Sequence, residues 1–217
     1  MFRPLWIPAV LVCALVAAVP PAGAEKGAAE VNEGRLVFLD QPPLKPVHHH
    51  HNAIQISERS LEDGWTVLTQ CHENLDRVPA TQIVFNPERI RNLEVVKAGN
   101  VGRAWVEGPS VQLRDVGAEA EVCLRAEALA LRNHGDGTYT LSNGPFMRRF
   151  LDGYYPMRVS ASVRLLTPHI RFVAIEPAPQ RGFRVWELAD GINYDAWFEG
   201  RLFTVIRFAT PDGFPRR

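Results

Sequence analysis

Four consecutive histidines, His48 to His51, are the residues of this chain whose type and spacing most invite chemistry. In an extended chain alternate residues share a face, so His48 with His50, or His49 with His51, would present two imidazoles to one metal ion. Zinc and copper both accept that donor type. His72, and with it Glu73, would complete a site if the strand that starts near Ala53 lay beside that of Cys71. The competing reading is a solvated polar lead-in to a strand, because a histidine tract points to metal by composition alone.

Cys71-His72-Glu73-Asn74-Leu75-Asp76 sets a thiol beside an imidazole and begins like the zinc-protease pattern H-E-x-x-H. Neighbouring residues on a strand point to opposite faces, so Cys71 and His72 make no nucleophile–base pair there. The pattern also fails at its fifth position, where Asp76 stands in place of the second histidine. Phosphate-loop, dinucleotide and G-x-S-x-G signatures are absent. Dispersed acids such as Asp152, Asp195 and Glu199 have no spacing that supports a hydrolase.

A third candidate is the Gly/Pro-bounded stretch from Asn143 to Pro156. It carries Phe146, Met147, Arg148, Arg149, Phe150, Asp152, Tyr154 and Tyr155. Flat aromatic faces suit a sugar or a peptide, and two guanidinium forks suit a carboxylate or phosphate. The bland alternative has Phe146 and Phe150 plugging the sandwich while Asp152 pairs with a local arginine. Were the two loops to border one groove, they would gather His72, Glu73, Asp76, Arg148, Arg149, Tyr154 and Tyr155.

The elements that must position these residues are strands. Short β-branched or aromatic runs recur between turn residues, among them Trp65 to Leu68, Gln82 to Phe85, Thr138 to Leu141, Val159 to Leu166 and Leu202 to Phe208. The expected fold is all-β, an antiparallel sandwich. Asn133 to Gly137 reads as the turn of a hairpin between Glu121–Leu131 and Thr138–Leu141. The first arm is rich in helix-favouring Ala, Glu, Leu and Arg. Elsewhere only Asn86 to Leu93 suggests a turn of helix. The cysteine–tryptophan spacing of immunoglobulin-type domains does not carry over, since Trp105 lies too far from Cys71 and Glu121 stands where a corner tyrosine belongs.

Segments also recur in the same chain order. Ala104 to Gly108 matches Ala196 to Gly200, Asp63-Gly64 with Leu68-Thr69 matches Asp136-Gly137 with Leu141-Ser142, and Ile90-Arg91 matches Ile170-Arg171. Leu75-Asp76 with Pro79 likewise matches Leu151-Asp152 with Pro156. The expectation is two colinear β modules, residues 53–132 and 133–217, forming one sandwich or two. Trp65, Trp105, Trp186 and Trp197 would be their inward or interface anchors.

Residues 1–24 have the parts of a secretory signal: Arg3, an apolar stretch from Leu5 to Val19, and the small residues Ala22-Gly23-Ala24. Residues 25–52 then form a lead-in carrying the histidine tract. Signal removal takes Cys13 away and leaves Cys71 and Cys123, an even count that favours a disulfide in an oxidising compartment.

The 217 residues carry 24 Lys+Arg against 24 Asp+Glu. That neutrality excludes a polybasic nucleic-acid binder, and no stable membrane span is expected after cleavage. Only Lys26, Lys45 and Lys97 are lysines, and with 17 Pro and 16 Gly this bias indicates a GC-rich bacterial genome. The function expected is therefore a periplasmic or secreted, non-enzymatic binding module for an envelope protein or glycan. The alternative is a periplasmic copper or zinc binder built on His48 to His51.

Overall fold

From Met157 to Val163 every second side chain is buried and those between are half-exposed, the pattern of a strand with one face on a core. The same alternation puts Thr66, Leu68, Gln70 and His72 inside and leaves Trp65, Val67, Thr69 and Cys71 on the other face. The structure, a computed structural model, describes residues 32–213. The expected signal, residues 1–24, lies outside the described residues.

The chain runs through β1 (Val37–Phe38), β2 (His49–Ile56), α1 (Glu58–Asp63), β3 (Trp65–Leu75), β4 (Val78–Val84), β5 (Ile90–Glu107) and β6 (Ser110–Leu129). It continues as β7 (Leu131–Asn133), β8 (Thr138–Phe146), β9 (Arg148–Phe150), β10 (Gly153–Tyr155) and β11 (Met157–Leu165). The last strands are β12 (Arg171–Glu176), β13 (Phe183–Leu188), β14 (Gly191–Glu199) and β15 (Leu202–Ala209). A nine-stranded sheet has the order β1-β14-β11-β2-β3-β6-β4, with β13 on β14 and β5 on β6. A four-stranded sheet, β12-β15-β8-β7, packs against it, while β9 and β10 pair as a separate hairpin. The fold is an all-β sandwich.

Between the sheets, Phe183, Tyr194, Phe198 and Phe208 are fully enclosed. Each buried phenylalanine contributes roughly 1.5–3 kcal/mol, so this layer dominates the stability. A second, smaller core lies where β6 runs past the sandwich as an arm between β4 and β5. There Val111, Leu113, Val116, Ala120, Val122 and Leu124 pack with Ile83, Val101 and Ala104. Left-handed residues Asn92, Asn100, Asp115 and Glu119 accompany breaks in the β5–β6 register. Such bulges re-aim side chains locally and strengthen the twist of the sheet.

Several expectations are corrected. None of the expected anchors Trp65, Trp105, Trp186 and Trp197 is in the buried core. Trp65, Trp105 and Trp197 are half-buried, with the guanidinium groups of Arg91, Arg103 and Arg158 at 4.0, 4.6 and 5.2 Å from their rings, and Trp186 is 44% exposed. An arginine over the ring satisfies the π face without burial, so phenylalanines and Tyr194 take the anchoring role. The hairpin at Asn133 is also shorter than expected. Only Leu131–Asn133 pairs with β8, whereas Glu121 to Leu129 pairs with β3 and β5 in the other sheet. Its helix-favouring composition gives way because Val122, Leu124 and Ala126 fall on the buried face.

Asn86 to Arg89 forms one hydrogen-bonded turn, and β5 starts at Ile90. The helix that does form, α1, was not anticipated. Ser57 caps it, with reciprocal bonds between the Ser57 and Ser60 side chains and backbones, and Gly64 ends it at φ 78°. Ser57→Ala is expected to cost about 1 kcal/mol in a urea titration.

The two halves are interleaved, in the one-sandwich arrangement. β2 runs parallel to β11, and β7 pairs with β8, so residues 53–132 and 133–217 contribute to both sheets. The repeated Ala-Trp-x-Glu-Gly segments end β5 and β14, and both glycines are left-handed. Their surroundings differ: a Cβ on Gly200 would lie 2.0 Å from the Arg35 carbonyl oxygen, while one on Gly108 would meet nothing within 4 Å.

Candidate functional site

Strand pairing decides how the histidines divide. β2 lies antiparallel to β3 with His49 opposite Glu73, His50 opposite His72 and His51 opposite Cys71. Period-two alternation then sends His48, His50 and His72 to the inner face and His49, His51 and Glu73 to the outer one. The neighbouring strand needed to bring His72 to the tract is present. The six expected metal ligands are nevertheless split between two faces, and among the described residues no group of three or more His, Cys, Asp or Glu is placed to hold a metal ion.

On the inner face the imidazoles are tied into hydrogen bonds. The Gln70 amide donates to His72 Nε2 at 2.7 Å, so the His72 proton sits on Nδ1 and is donated to His48 Nε2 at 2.9 Å. His50 Nε2–H donates to Asn52 Oδ1 at 3.0 Å. From there a polar chain crosses the core: Asn52 donates to Asn143, Asn143 donates to Tyr194 Oη, and the Tyr194 hydroxyl faces Thr204 Oγ1 at 3.3 Å. It joins β2 and β14 of one sheet to β8 and β15 of the other. A buried polar chain with every member paired fixes one packing of the sheets.

Burial pushes the His48 imidazole down to about 4, against the pull of Asp76, and His50 down to about 3. His72 is driven well below the ordinary range, first by burial and then by the neighbouring imidazoles. All three are uncharged at neutral pH. Burial likewise pushes the Tyr194 hydroxyl up to about 12.

These imidazoles form the floor of an open cleft of about 850 Å³ between the sheets. One wall comes from Leu68, Leu75, Val78, Ile83 and Leu113 of the nine-stranded sheet. The other comes from Ser142 to Phe150 and from Phe203. Phe146 packs edge-on against His50 with ring centroids 4.8 Å apart. Arg148 clamps the β9–β10 hairpin to the β3–β4 junction, donating Nε and Nη2 to the two oxygens of Asp76 at 3.0 and 2.6 Å. Such a bidentate, charge-assisted pair fixes orientation as well as position.

Of the residues expected to share a groove, His72, Asp76, Arg148 and Arg149 do line this cleft. Glu73 faces the other way. Tyr154 is buried, with the guanidinium groups of Arg149 and Arg201 5.5 and 5.6 Å from its ring, and Tyr155 donates its hydroxyl to Asp152 at 2.6 Å. Asp152 thus bonds a tyrosine where an arginine was anticipated. Phe146 plugs the sandwich, but Phe150 is exposed. Asp195 lies elsewhere, bridged by Arg158 and Arg184. Burial alone would raise its carboxyl, but those hydrogen bonds outweigh burial and hold it below the usual range.

Sequence reasoning missed Gln70, Asn52, Asn143 and Thr204. A signal existed for two of them. Gln70 and Asn52 are amides at inward positions of otherwise apolar alternations, where an amide needs a partner. Cys71 and Cys123, directly opposite on β3 and β6, are joined by a disulfide. Cys71 points away from His72, as strand alternation requires. No family model, curated protein or solved structure matches this chain.

Proposed function

We propose that the protein is an exported binding module that takes an envelope partner, a protein segment or a glycan, into the cleft behind the Phe146–Tyr155 hairpin. The cleft itself carries this reading: it is open, its walls set apolar side chains beside Asp76, Arg148 and Arg149, and its floor is of imidazoles that hold no charge. The Nδ1 atoms of His48 and His50, which lie outside those hydrogen bonds, offer a donor and an acceptor to hydroxyls or amides, and the apolar side chains of the walls supply the area. Met147 and Phe203 stand partly exposed at 38% and 56%, where an incoming chain would meet them. Export is supported by the signal-like residues 1–24 and by the joined cysteines.

Arg148 is the handle. Arg148→Ala combined with Arg149→Ala should abolish capture of partners from an envelope extract while the protein stays folded by circular dichroism. Normal capture by this variant would remove the hairpin from the site. Metal handling is the second reading, favoured by three uncharged imidazoles on one floor. It requires zinc or copper to displace the His48–His72 contact, and titration of wild type against His50→Asn separates the two. Equal affinity in both proteins, or none in either, ends it.

A further inference from the structure

Ser160 sits in the middle of β11, opposite His51 of β2 and Asp195 of β14. On this outer face, away from the cleft, its hydroxyl meets two imidazoles. His49 Nε2 is 2.8 Å from Ser160 Oγ, and His51 Nδ1 is 2.7 Å from it. The far nitrogen of His49, Nδ1, lies 3.1 Å from Glu73 Oε2.

A carboxylate only accepts, so the His49 proton resides on Nδ1 and is donated to Glu73. His49 Nε2 is then a bare acceptor for the Ser160 hydroxyl proton. Ser160 Oγ in turn accepts from His51 Nδ1–H. One ring is thus a base for the serine and the other a donor to it. Carboxylate, imidazole and hydroxyl stand in the order, tautomer and spacing of an activated nucleophile, a constellation recognised by geometry and not by chain order.

We propose that Ser160 is a nucleophile for small carboxylic esters, with His49 as its general base and Glu73 as the residue that positions His49. Ser160 Oγ attacks the ester carbonyl carbon while its proton passes to His49 Nε2. Collapse of the tetrahedral intermediate expels the alcohol, which takes that proton and leaves an acyl-serine. Water, deprotonated by His49, attacks the acyl carbon, and Ser160 leaves with the proton restored. The net change is ester plus water to acid plus alcohol. Backbone N–H groups of β11 are committed to its neighbours, so charge on the carbonyl oxygen falls to Arg158. Arg158 lies on the same face two residues along, its Cα about 7 Å away by strand rise, and its guanidinium is steadied by Asp195 at 2.8 Å. Ser160 is half-buried and the His49 side chain only 13% exposed, which suits a small acyl group.

The test uses the full chain and a fluorophosphonate probe, from which the serine displaces fluoride. One adduct is expected by intact mass, mapped to Ser160, with p-nitrophenyl acetate hydrolysed faster than by Ser160→Ala. His49→Gln should label about 100-fold more slowly. Glu73→Gln, at a half-exposed position, should label about 10-fold more slowly and shift the ¹⁵N spectrum of His49 from one tautomer to a mixture. Wild type unlabelled at Ser160, or labelling unchanged in both variants, overturns the proposal. Because the cleft lies on the other face, loss of capture and loss of labelling are independent results.

Discussion

Lowering the pH from 7 to 5 is expected to cost the folded protein at least about 4 kcal/mol. The loss comes from His48 and His50, whose folded values of about 4 and about 3 lie below the unfolded value of about 6.5. Below pH 6.5 the unfolded chain takes up protons that the folded chain refuses, so unfolding becomes easier as acid is added. Each imidazole accounts for about 2 kcal/mol at pH 5, and His72 acts in the same direction. The fall starts near pH 6.5 and continues to about 4 for His48 and about 3 for His50. The interval from 7 to 5 isolates the histidines, since the depressed carboxylates Asp63, Glu127, Asp136 and Asp195 titrate below it. Urea titrations at the two pH values measure the loss, and His50→Asn should reduce it by about 2 kcal/mol. A stability flat between pH 7 and 5 would mean that these rings are solvated.

Removing the Cys71–Cys123 disulfide has a comparable effect. The bridge closes a loop of 52 residues, and in the chain-entropy model its loss returns about 4 kcal/mol of freedom to the unfolded chain. A domain of ordinary stability holds only about 5–15 kcal/mol, so the reduced protein is left marginal. The bridge sits where β3 pairs with β6, just before the register shifts at His72 to Leu75 and the arm continues along β4. Reduction should therefore expose the amides of the arm to hydrogen exchange before those of β11 and β14. Comparing urea midpoints of oxidised protein and the Cys71→Ala, Cys123→Ala double variant gives the magnitude. A difference under about 1 kcal/mol, or free thiols at both positions in non-reducing mass spectrometry, would contradict the assignment. It would also weaken the case for export.

Period-two alternation made much of this legible from residues alone. It separates His48 and His50 from His49 and His51, sets Cys71 opposite to His72, and marks β11 and β15 within two residues. Pairing across long distances was not legible. Nothing local shows that β2 runs parallel to β11, a contact more than a hundred residues away that brings Ser160 to the histidines. The Arg148–Asp76 clamp depends on the same kind of information. Tryptophan's size points to burial, whereas a neighbouring arginine covers a ring at the surface. Helix α1 is barely legible, because its six residues carry no apolar stripe and only the caps Ser57 and Gly64 announce it. Glu121 to Leu129 shows local propensity losing to a buried face.

The claim that the cleft receives the partner is tested most directly by photo-crosslinking in cells of the source organism. Benzoylphenylalanine would replace Met147, Phe203 or Leu166 in the full chain, one at a time. Met147 and Phe203 border the cleft, while Leu166 is exposed outside it. The expected result is partner adducts from Met147 and Phe203, none from Leu166, and loss of both when Arg148→Ala is added. Adducts of equal yield from Leu166, or adducts that survive Arg148→Ala, would contradict it.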